Sequence, residues 1–252
     1  SDLLAAVEDG KARLSDGTLL DCDFLVLAAG IEVDTDFLRG SGVDLDPKGY
    51  IKVNADQETS VQDIYALGDA TVVYLKMAQN FRPLQLAGPA LNQARRVADR
   101  IMGQSSAHPG FLGTSAIQVF NYNAAQTGLN ERQLQDMGRD DYDSVLASPM
   151  DKVGIMPGAS PLFLKLIFQV PTGTLLGAQA IGKGDVAKRI DTIAAMMHFD
   201  GTIFDLKDME QAYAPPFNSA RDALHMAAFT AENILYNRYR QVHVNTVRSL
   251  VE

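Results

Sequence analysis

Thr59-Ser60-Val61-Gln62-Asp63-Ile64-Tyr65-Ala66-Leu67-Gly68-Asp69-Ala70 is the stretch on which the reading of this chain turns. Ile64 to Leu67 is a short apolar run that ends on a glycine and a carboxylate. With no polar alternation to mark a wet face, the run predicts a strand covered on both sides. Ligands of open α/β sheets bind beyond the carboxyl ends of strands, which is where Gly68 and Asp69 would fall. Glycine lets a ligand or a helix come close to the backbone. An aspartate beside it can accept hydrogen bonds from sugar-like hydroxyls, and it can equally cap a following helix. Spacing alone leaves those two readings level.

Upstream, Phe24-Leu25-Val26-Leu27-Ala28-Ala29 is a second unbroken apolar run, closed by Gly30, and predicts another doubly covered strand. Val7 to Leu14 and Thr18-Leu19-Leu20 flank Ser15-Asp16-Gly17, the signature of a hairpin. Between the two apolar runs lies a polar stretch with Gly40, Gly42, Pro47 and Gly49. After Pro83 the period becomes helical, from about Leu86 to Met102, with Ala90, Ala94, Val97, Ala98 and Ile101 on one face.

Residues 103–113, dense in Gly, Ser and Pro, read as a linker, and beyond it the character changes. Strands are expected at Ser115 to Tyr122, Tyr142 to Leu146, Leu162 to Val170 and Thr174 to Ile181, the last two joined by the turn Pro171-Thr172-Gly173. Helices are expected at Glu131 to Met137, about 185–199 and about 219–236. The chain thus reads as an α/β part followed by an α+β part of antiparallel sheet plus helices.

Composition bounds the function. The 252 residues carry a net charge of −9, which argues against nucleic acid, since phosphate neutralisation takes clustered Lys and Arg. The basic pairs Arg95-Arg96 and Lys188-Arg189 read as solvated helix faces. No apolar run is long enough to cross a bilayer, so no membrane partner is expected. A single cysteine excludes an internal disulfide framework and fits a reducing compartment, with cytoplasm the expected location. Cys22 sits between Asp21 and Asp23, surroundings that disfavour a redox nucleophile. His108, His198, His225 and His243 are scattered without ligand spacing, and no metal site is expected.

Two further strings carry chemistry. Tyr213-Ala214-Pro215-Pro216-Phe217-Asn218-Ser219-Ala220-Arg221-Asp222 is stiffened by two prolines and presents two aromatics ahead of a helix with Asn218 or Ser219 as its expected N-cap. Such a loop can serve a site or simply pack an interface. Gly182-Lys183-Gly184-Asp185-Val186-Ala187 satisfies G-x-G-x-x-A, but the strand before it pairs through a tight hairpin. It is therefore read as a strand-to-helix connection and not as a phosphate cradle. Gly40-Ser41-Gly42 has no helix after it and reads as a loop.

Taken whole, Thr59 to Ala70 resembles the second FAD fingerprint of the pyridine nucleotide-disulfide oxidoreductases, in which the aspartate holds a hydroxyl of the ribityl chain. The resemblance implies that Gly68, Asp69 and Ala70 bind FAD. Asp16-Gly17-Thr18 and Asp23 to Ile31 resemble the hairpin and strand that close the family's nicotinamide domain. Leu84-Gln85-Leu86-Ala87-Gly88-Pro89-Ala90 resembles the helix start that faces the flavin, which would put Leu86 and Ala87 at the cofactor. A helix start carries unpaired N–H groups and positive potential, which suit a reduced flavin. Tyr213 to Asp222 resembles the C-terminal signature of the coenzyme A-disulfide reductase and NADH oxidase branch. There Tyr213 would enter the partner subunit's site, Phe217 would flank the cofactor, and Arg221, where lysine is common, would contact coenzyme A. Gly182 to Asp191 is similar to the family's interface-domain turn.

Residues 1–30 are accordingly expected to be the tail of an NAD(P)-binding domain, 31–103 the C-terminal part of an FAD domain, 114–236 a dimerisation domain that makes a homodimer, and 237–252 a linker or tail. That last segment resembles a linker into a further domain, rhodanese-like in some relatives. FAD and NAD(P)H are the implied cofactors, and a thiol, disulfide, polysulfide or oxygen the implied acceptor. Lys152 to Gly158 departs from the branch's His-Ala-x-Tyr-Tyr-Pro-Gly, and Leu91 precedes Asn92 where Asn or His often follows Ala90. Both departures count against coenzyme A disulfide. The chain opens in mid-element and contains no G-x-G-x-x-G fingerprint of an FAD pyrophosphate site and no flavin-side cysteine. It therefore reads as a piece of a longer enzyme, silent alone, with a first part prone to rearrange. The reading from another class is a non-enzymatic dimerisation or scaffold module.

Overall fold

In the second half, β9 (Leu162–Gln169) and β10 (Leu175–Gly182) form a long hairpin around Pro171-Thr172-Gly173. The computed structural model describes residues 3–104 and 108–251, so Ser1-Asp2, the middle of the expected linker and Glu252 lie outside the described residues. It divides into two units, Ser1–Asp34 and Thr35–Glu252.

The first unit is an antiparallel meander of β1 (Leu4–Glu8), β2 (Lys11–Leu14) and β3 (Leu19–Asp21), with the expected turn at Ser15 to Gly17. Thr18 N–H and Oγ1 both donate to the Asp16 carboxylate, at 2.9 and 2.8 Å, which closes the turn. The expected strand at Phe24 to Ala29 is not formed: the run is extended, unpaired and exposed. Among the described residues no strand bonds to its edges and no helix covers its faces. Apolar residues alone do not make a strand, because its hydrogen bonds and its burial both come from neighbours.

The second unit opens with a 3₁₀ turn (Asp36–Leu38) and loops tied by Asx-type bonds, such as Lys48 and Tyr50 N–H to Asp46 Oδ1 at 2.8 and 2.9 Å. A hairpin of β4 (Val72–Leu75) and β5 (Asn80–Pro83) leads into α1 (Ala87–Ile101). Among the described residues, parallel pairing is confined to the isolated bridges Ile51–Thr71 and Leu75–Phe111. Ile64 to Leu67 is again not the expected buried strand. It makes one bridge, Glu58–Tyr65, and leaves Ile64 and Leu67 exposed.

Helix α1 also turns a different face inward from the one expected. Ala94, Ala98 and Ile101 are exposed, while Gln93 and Val97 are buried. The helix is docked by a polar seam at helical spacing: Gln93 to Gly68, Arg96 Nη2 to Ala55 O at 3.0 Å, and Arg100 Nε to Glu58 Oε1 at 3.0 Å. Hydrogen bonds from Asn54 and then from Arg100 hold the Glu58 carboxyl below its ordinary value. Arg96 is thus not the solvated residue that its pairing with Arg95 suggested.

The core belongs to a five-stranded antiparallel sheet of order β6-β7-β10-β9-β8, made by β6 (Ser115–Val119), β7 (Tyr122–Gly128), β8 (Tyr142–Ala147), β9 and β10. The expected single strand Ser115 to Tyr122 is two strands, folded back through Phe120-Asn121 with Phe120 at φ +52°. α2 (Glu131–Asp136) is held by a capping box between Asn130 and Gln133. α3 (Ala187–His198) lies over β7 and β10, and α5 (Ala223–Leu235) over β8 and β9. Two helices were not expected: α4 (Ile203–Asp208), capped by Thr202, and α6 (Val244–Val251) within the expected tail.

Leu162, Leu164, Leu166 and Phe168 alternate along β9 and meet Ile190, Ile193, Met197, Leu224 and Ala228 from the helices. Each such side chain contributes roughly 1.5–3 kcal/mol on burial. Gly177 is where a strand must pass another backbone, since a Cβ there would collide with Leu129 O. Lys76 joins the β4–β5 hairpin to this domain, its ammonium donating to Met197 O and His198 O at 3.1 and 2.7 Å. Those are terminal carbonyls of α3, where a cation is favoured.

Candidate functional site

Gly68 takes φ +82°, a conformation that L side chains rarely adopt, and a Cβ there would meet nothing within 4 Å. The glycine is thus required by backbone shape, and the space above it is open. Its carbonyl accepts from Thr71 Oγ1 at 2.9 Å and from Thr71 N–H at 3.1 Å, which fixes a tight turn at Asp69-Ala70. Ala70 O accepts from Ile51 N–H at 2.9 Å, tying the turn to the Ile51 segment.

The Gly68 N–H donates to Gln93 Oε1 at 2.7 Å. Gln93 is 0% exposed, and its Nε2 has no hydrogen-bond partner among the described residues. An orphaned buried donor costs on the order of 1–3 kcal/mol, so its retention needs a reason. Asp69 itself is exposed, and its carboxylate has no hydrogen-bond or ion-pair partner among the described residues. It does not cap a helix. A free carboxylate on a fixed turn beside an open glycine suits a ligand that offers hydroxyls.

Leu86, half-buried, is the N-cap of α1 and caps it with no side chain, and Ala87 is the exposed first helical residue. The first turn carries no acidic side chain, so its free N–H groups keep their positive potential. Gln93 bonds this same helix to the Gly68 turn, so the expected elements Gly68 to Ala70 and α1 are brought into one body. Beside the approach to α1, a cavity of about 510 Å³ is lined by Tyr50, Arg82, Leu84, Gln85 and Gln133, with Gln85 Nε2 donating to Tyr50 Oη at 2.6 Å.

Tyr213, Phe217 and Arg221 lie together on the irregular segment ahead of α5, and all three are exposed. The Arg221 guanidinium stands 5.6 Å from the Phe229 ring centroid. Among the described residues no hydrogen bond or ring contact links these three to Asp69. The N-cap of α5 is Asp222, whose carboxylate accepts from Leu224 N–H at 3.3 Å, in place of the expected Asn218 or Ser219. Asn218 is instead buried and turned back, its Nδ2 donating to Ala212 O at 3.1 Å.

Sequence reasoning missed Gln93, although a glutamine in line with Val97 and Arg100 was the available signal. It also took Arg189 for a solvated residue; Arg189 is buried against Asp222. Gly182 to Val186 connects an antiparallel strand to α3 and is filled by the Asp151 side chain at Gly184, as its reading as a plain connection implied. Among the described residues no group of three or more His, Cys, Asp or Glu side chains is placed to hold a metal, and no helix is long and apolar enough to cross a membrane.

Residues 4–94 match the family model described as pyridine nucleotide-disulphide oxidoreductase, and residues 114–225 match the dimerisation domain of the same family. Coenzyme A disulfide reductase of Staphylococcus epidermidis is 31% identical over 230 residues, which are 91% of this chain and 52% of that protein. The reduced CoADR-RHD protein of Bacillus anthracis superposes with a TM-score of 0.95 at 36% identity, over 99% of this chain and 45% of that one. An NAD-dependent persulfide reductase from A. fulgidus gives a TM-score of 0.87 at 30% identity, over 93% of this chain and 43% of that one. The chain spans about half the length of the curated relatives it matches. On both halves of its sequence and on its fold, the chain belongs to the pyridine nucleotide-disulphide oxidoreductases.

Proposed function

We propose that this chain is the FAD-contacting and dimerisation half of an FAD-dependent NAD(P)H:disulfide oxidoreductase that acts on a thiol-derived acceptor. The observation that carries the reading is the turn at Gly68-Asp69-Ala70, locked to α1 by Gln93 and holding an unpartnered carboxylate. Bound FAD would supply the redox chemistry that links NAD(P)H to the acceptor. Asp69 would hold a ribityl hydroxyl, and the open φ-positive Gly68 would let the cofactor lie against the backbone. Leu86 and Ala87 would face the ring, where the N–H groups of the α1 start favour negative charge.

Tyr213 would act in the site of a second copy, which accords with its exposure and its lack of contacts to Asp69. Phe217 would border that site, and Arg221 would offer a cation to a coenzyme A-like thiol. The homodimer is supported by the family's dimerisation domain at 114–225 and by the sheet face opposite α3 and α5. On that face Ile117, Leu146, Phe163 and Ile181 are exposed side by side across the strands, an apolar strip of the kind that subunit interfaces cover. The cytoplasm remains our proposed location.

Alone, the chain offers Cys22 as its single thiol, outside the Gly68 turn, and we expect no turnover from it. Purified by itself it should carry no stoichiometric flavin, as read by absorbance. In the flavoprotein that contains this stretch, Asp69→Ala removes a charge-assisted hydrogen bond worth roughly 1.5–3 kcal/mol and should weaken FAD about 10- to 100-fold. Undiminished FAD binding in that variant would sink the reading.

A further inference from the structure

Among the described residues, the buried ion pair that the catalytic reading leaves unused joins Arg189, in the first turn of α3, to Asp222, the cap of α5. Both side chains are 2% exposed. Arg189 Nη2 reaches Asp222 Oδ2 at 2.6 Å, and Nε bonds both carboxylate oxygens at 3.2 Å. The same guanidinium donates to Asp151 O at 2.6 Å and to Asp185 O at 2.5 Å.

Each acceptor ends a different loop. Asp151 opens residues 151–160, a loop it also closes on itself through Ser160 N–H to Asp151 Oδ1 at 2.8 Å. Asp185 belongs to the connection into α3, where Gly184 leaves room for the Asp151 side chain. Asp222 ends the segment that carries Tyr213, Phe217 and Arg221. That segment holds no helix or strand from Met209 to Arg221; besides Asp222 it is braced by a turn with Phe217 N–H on Ala214 O at 2.9 Å, by Asn218 to Ala212 O, and by His225 Nε2 with Met209 O at 2.8 Å.

A buried ion pair is a poor source of stability, because desolvation offsets its attraction and an apolar pair of similar volume often serves as well. What it provides is direction, since a planar fork satisfies several acceptors in one arrangement only. We propose that Arg189 and Asp222 are positioning residues, a clamp that fixes the Tyr213–Arg221 loop against the 151–160 loop so that both present to one thiol ligand. The clamp rests on the reading of Arg221 as a ligand contact.

The double variant Arg189→Met/Asp222→Leu removes the pair without orphaning either charge. Loss of the Leu224 N–H cap and of the donors to Asp151 O and Asp185 O should lower the melting temperature, so the proposal is read from where exchange rises and not from stability. Amide hydrogen exchange should rise at least tenfold both across 211–221 and across 152–159, with β9 and β10 unchanged. Unchanged protection in either loop, or a uniform rise that includes β9 and β10, overturns the clamp. Should the double variant fail to fold, Arg189→Lys keeps charge and bulk but cannot span three acceptors, and the same two loops are read. Coenzyme A in equilibrium dialysis separates the two claims. Read in the flavoprotein that contains this stretch, loosened loops with a tenfold loss of coenzyme A binding support both; loosened loops with unchanged binding overturn the presentation of a thiol ligand by the clamp; and no binding before any substitution removes Arg221 from the ligand and the proposal with it.

Discussion

Replacing Gln93 by methionine should leave global stability almost unchanged while loosening one amide, and the sign of that expectation comes from counting donors. Gln93 now satisfies the Gly68 N–H through Oε1, at 2.7 Å, and leaves its own Nε2 unpaired in a position with 0% exposure. Methionine takes away both facts at once. Loss of the acceptor costs about 1–3 kcal/mol for a part-buried N–H, and removal of the orphaned donor returns a similar amount. Volume is conserved, so packing adds little. The net change should fall within about 1 kcal/mol, whereas Gln93→Ala adds a cavity and should cost about 2 kcal/mol more. Locally the Gly68 amide loses its one bond, and its exchange should quicken about tenfold, the factor that corresponds to 1.4 kcal/mol. Urea unfolding gives the first quantity and residue-resolved hydrogen exchange the second. A loss of more than about 3 kcal/mol in Gln93→Met would mean that Nε2 has a partner, and an unchanged Gly68 amide would remove the link between α1 and the turn.

Leu164→Ala, at a side chain with 0% exposure between sheet and helices, should cost about 2–5 kcal/mol in chemical denaturation, and a loss under about 1 kcal/mol would contradict the placement of the core. Gly177→Ala drives a Cβ into Leu129 O and should prevent folding or cost at least about 1–3 kcal/mol, so a variant as stable as the parent chain would overturn the β10 register. Hydrogen bonds from Arg139, then from Gln169, lower the Asp141 carboxyl from its ordinary 3.8 to about 2. Because the folded value is depressed, the stabilisation is present above about pH 4 and is lost as pH falls through about 2. The side chain is 39% exposed, so solvent screening keeps the contribution to about 1 kcal/mol at most. Asp141→Asn should flatten the acid limb of the stability curve over that window, and an identical limb would refute the pairing.

The second domain was legible because its signals are local. The turn at Pro171 to Gly173, the two strands it joins and the helices expected at about 185–199 and 219–236 are each written within one element, and the structure has them close to those bounds. The hairpin at Phe120-Asn121 was hidden for the same reason in reverse. Its turn contains no glycine and Phe120 carries the positive φ, so Asn121 is the one residue of the turn that marks a reversal of direction. α4 is short, and its cap, Thr202 with Asp205, is visible only once six residues are accepted as a helix.

Phe24 to Ala29 and Ile64 to Leu67 failed for a different reason, and the failure bears on the site. An unbroken apolar run states what a segment would do if it had neighbours; it does not supply them. Gly68 and Asp69 nevertheless keep a defined turn, because what holds them is polar and comes from elsewhere in the chain: Thr71 three residues on, Ile51 behind, and Gln93 from α1. The expected apolar face of α1 would have placed Ala94 and Ala98 inward and left Gln93 at the rim. The observed seam of Gln93, Arg96 and Arg100 rotates the helix so that its one orphaned donor lies behind the turn that bears the free carboxylate. The residues the sequence named as flavin-facing are therefore held in place by residues it assigned to solvent or to packing. Fixed geometry at the Asp69 turn depends on Thr71 close by and on partners far off in sequence, as Gln93 lies 25 from Gly68. Periodicity cannot display such pairs. They become visible only when each buried donor and acceptor is followed to its partner.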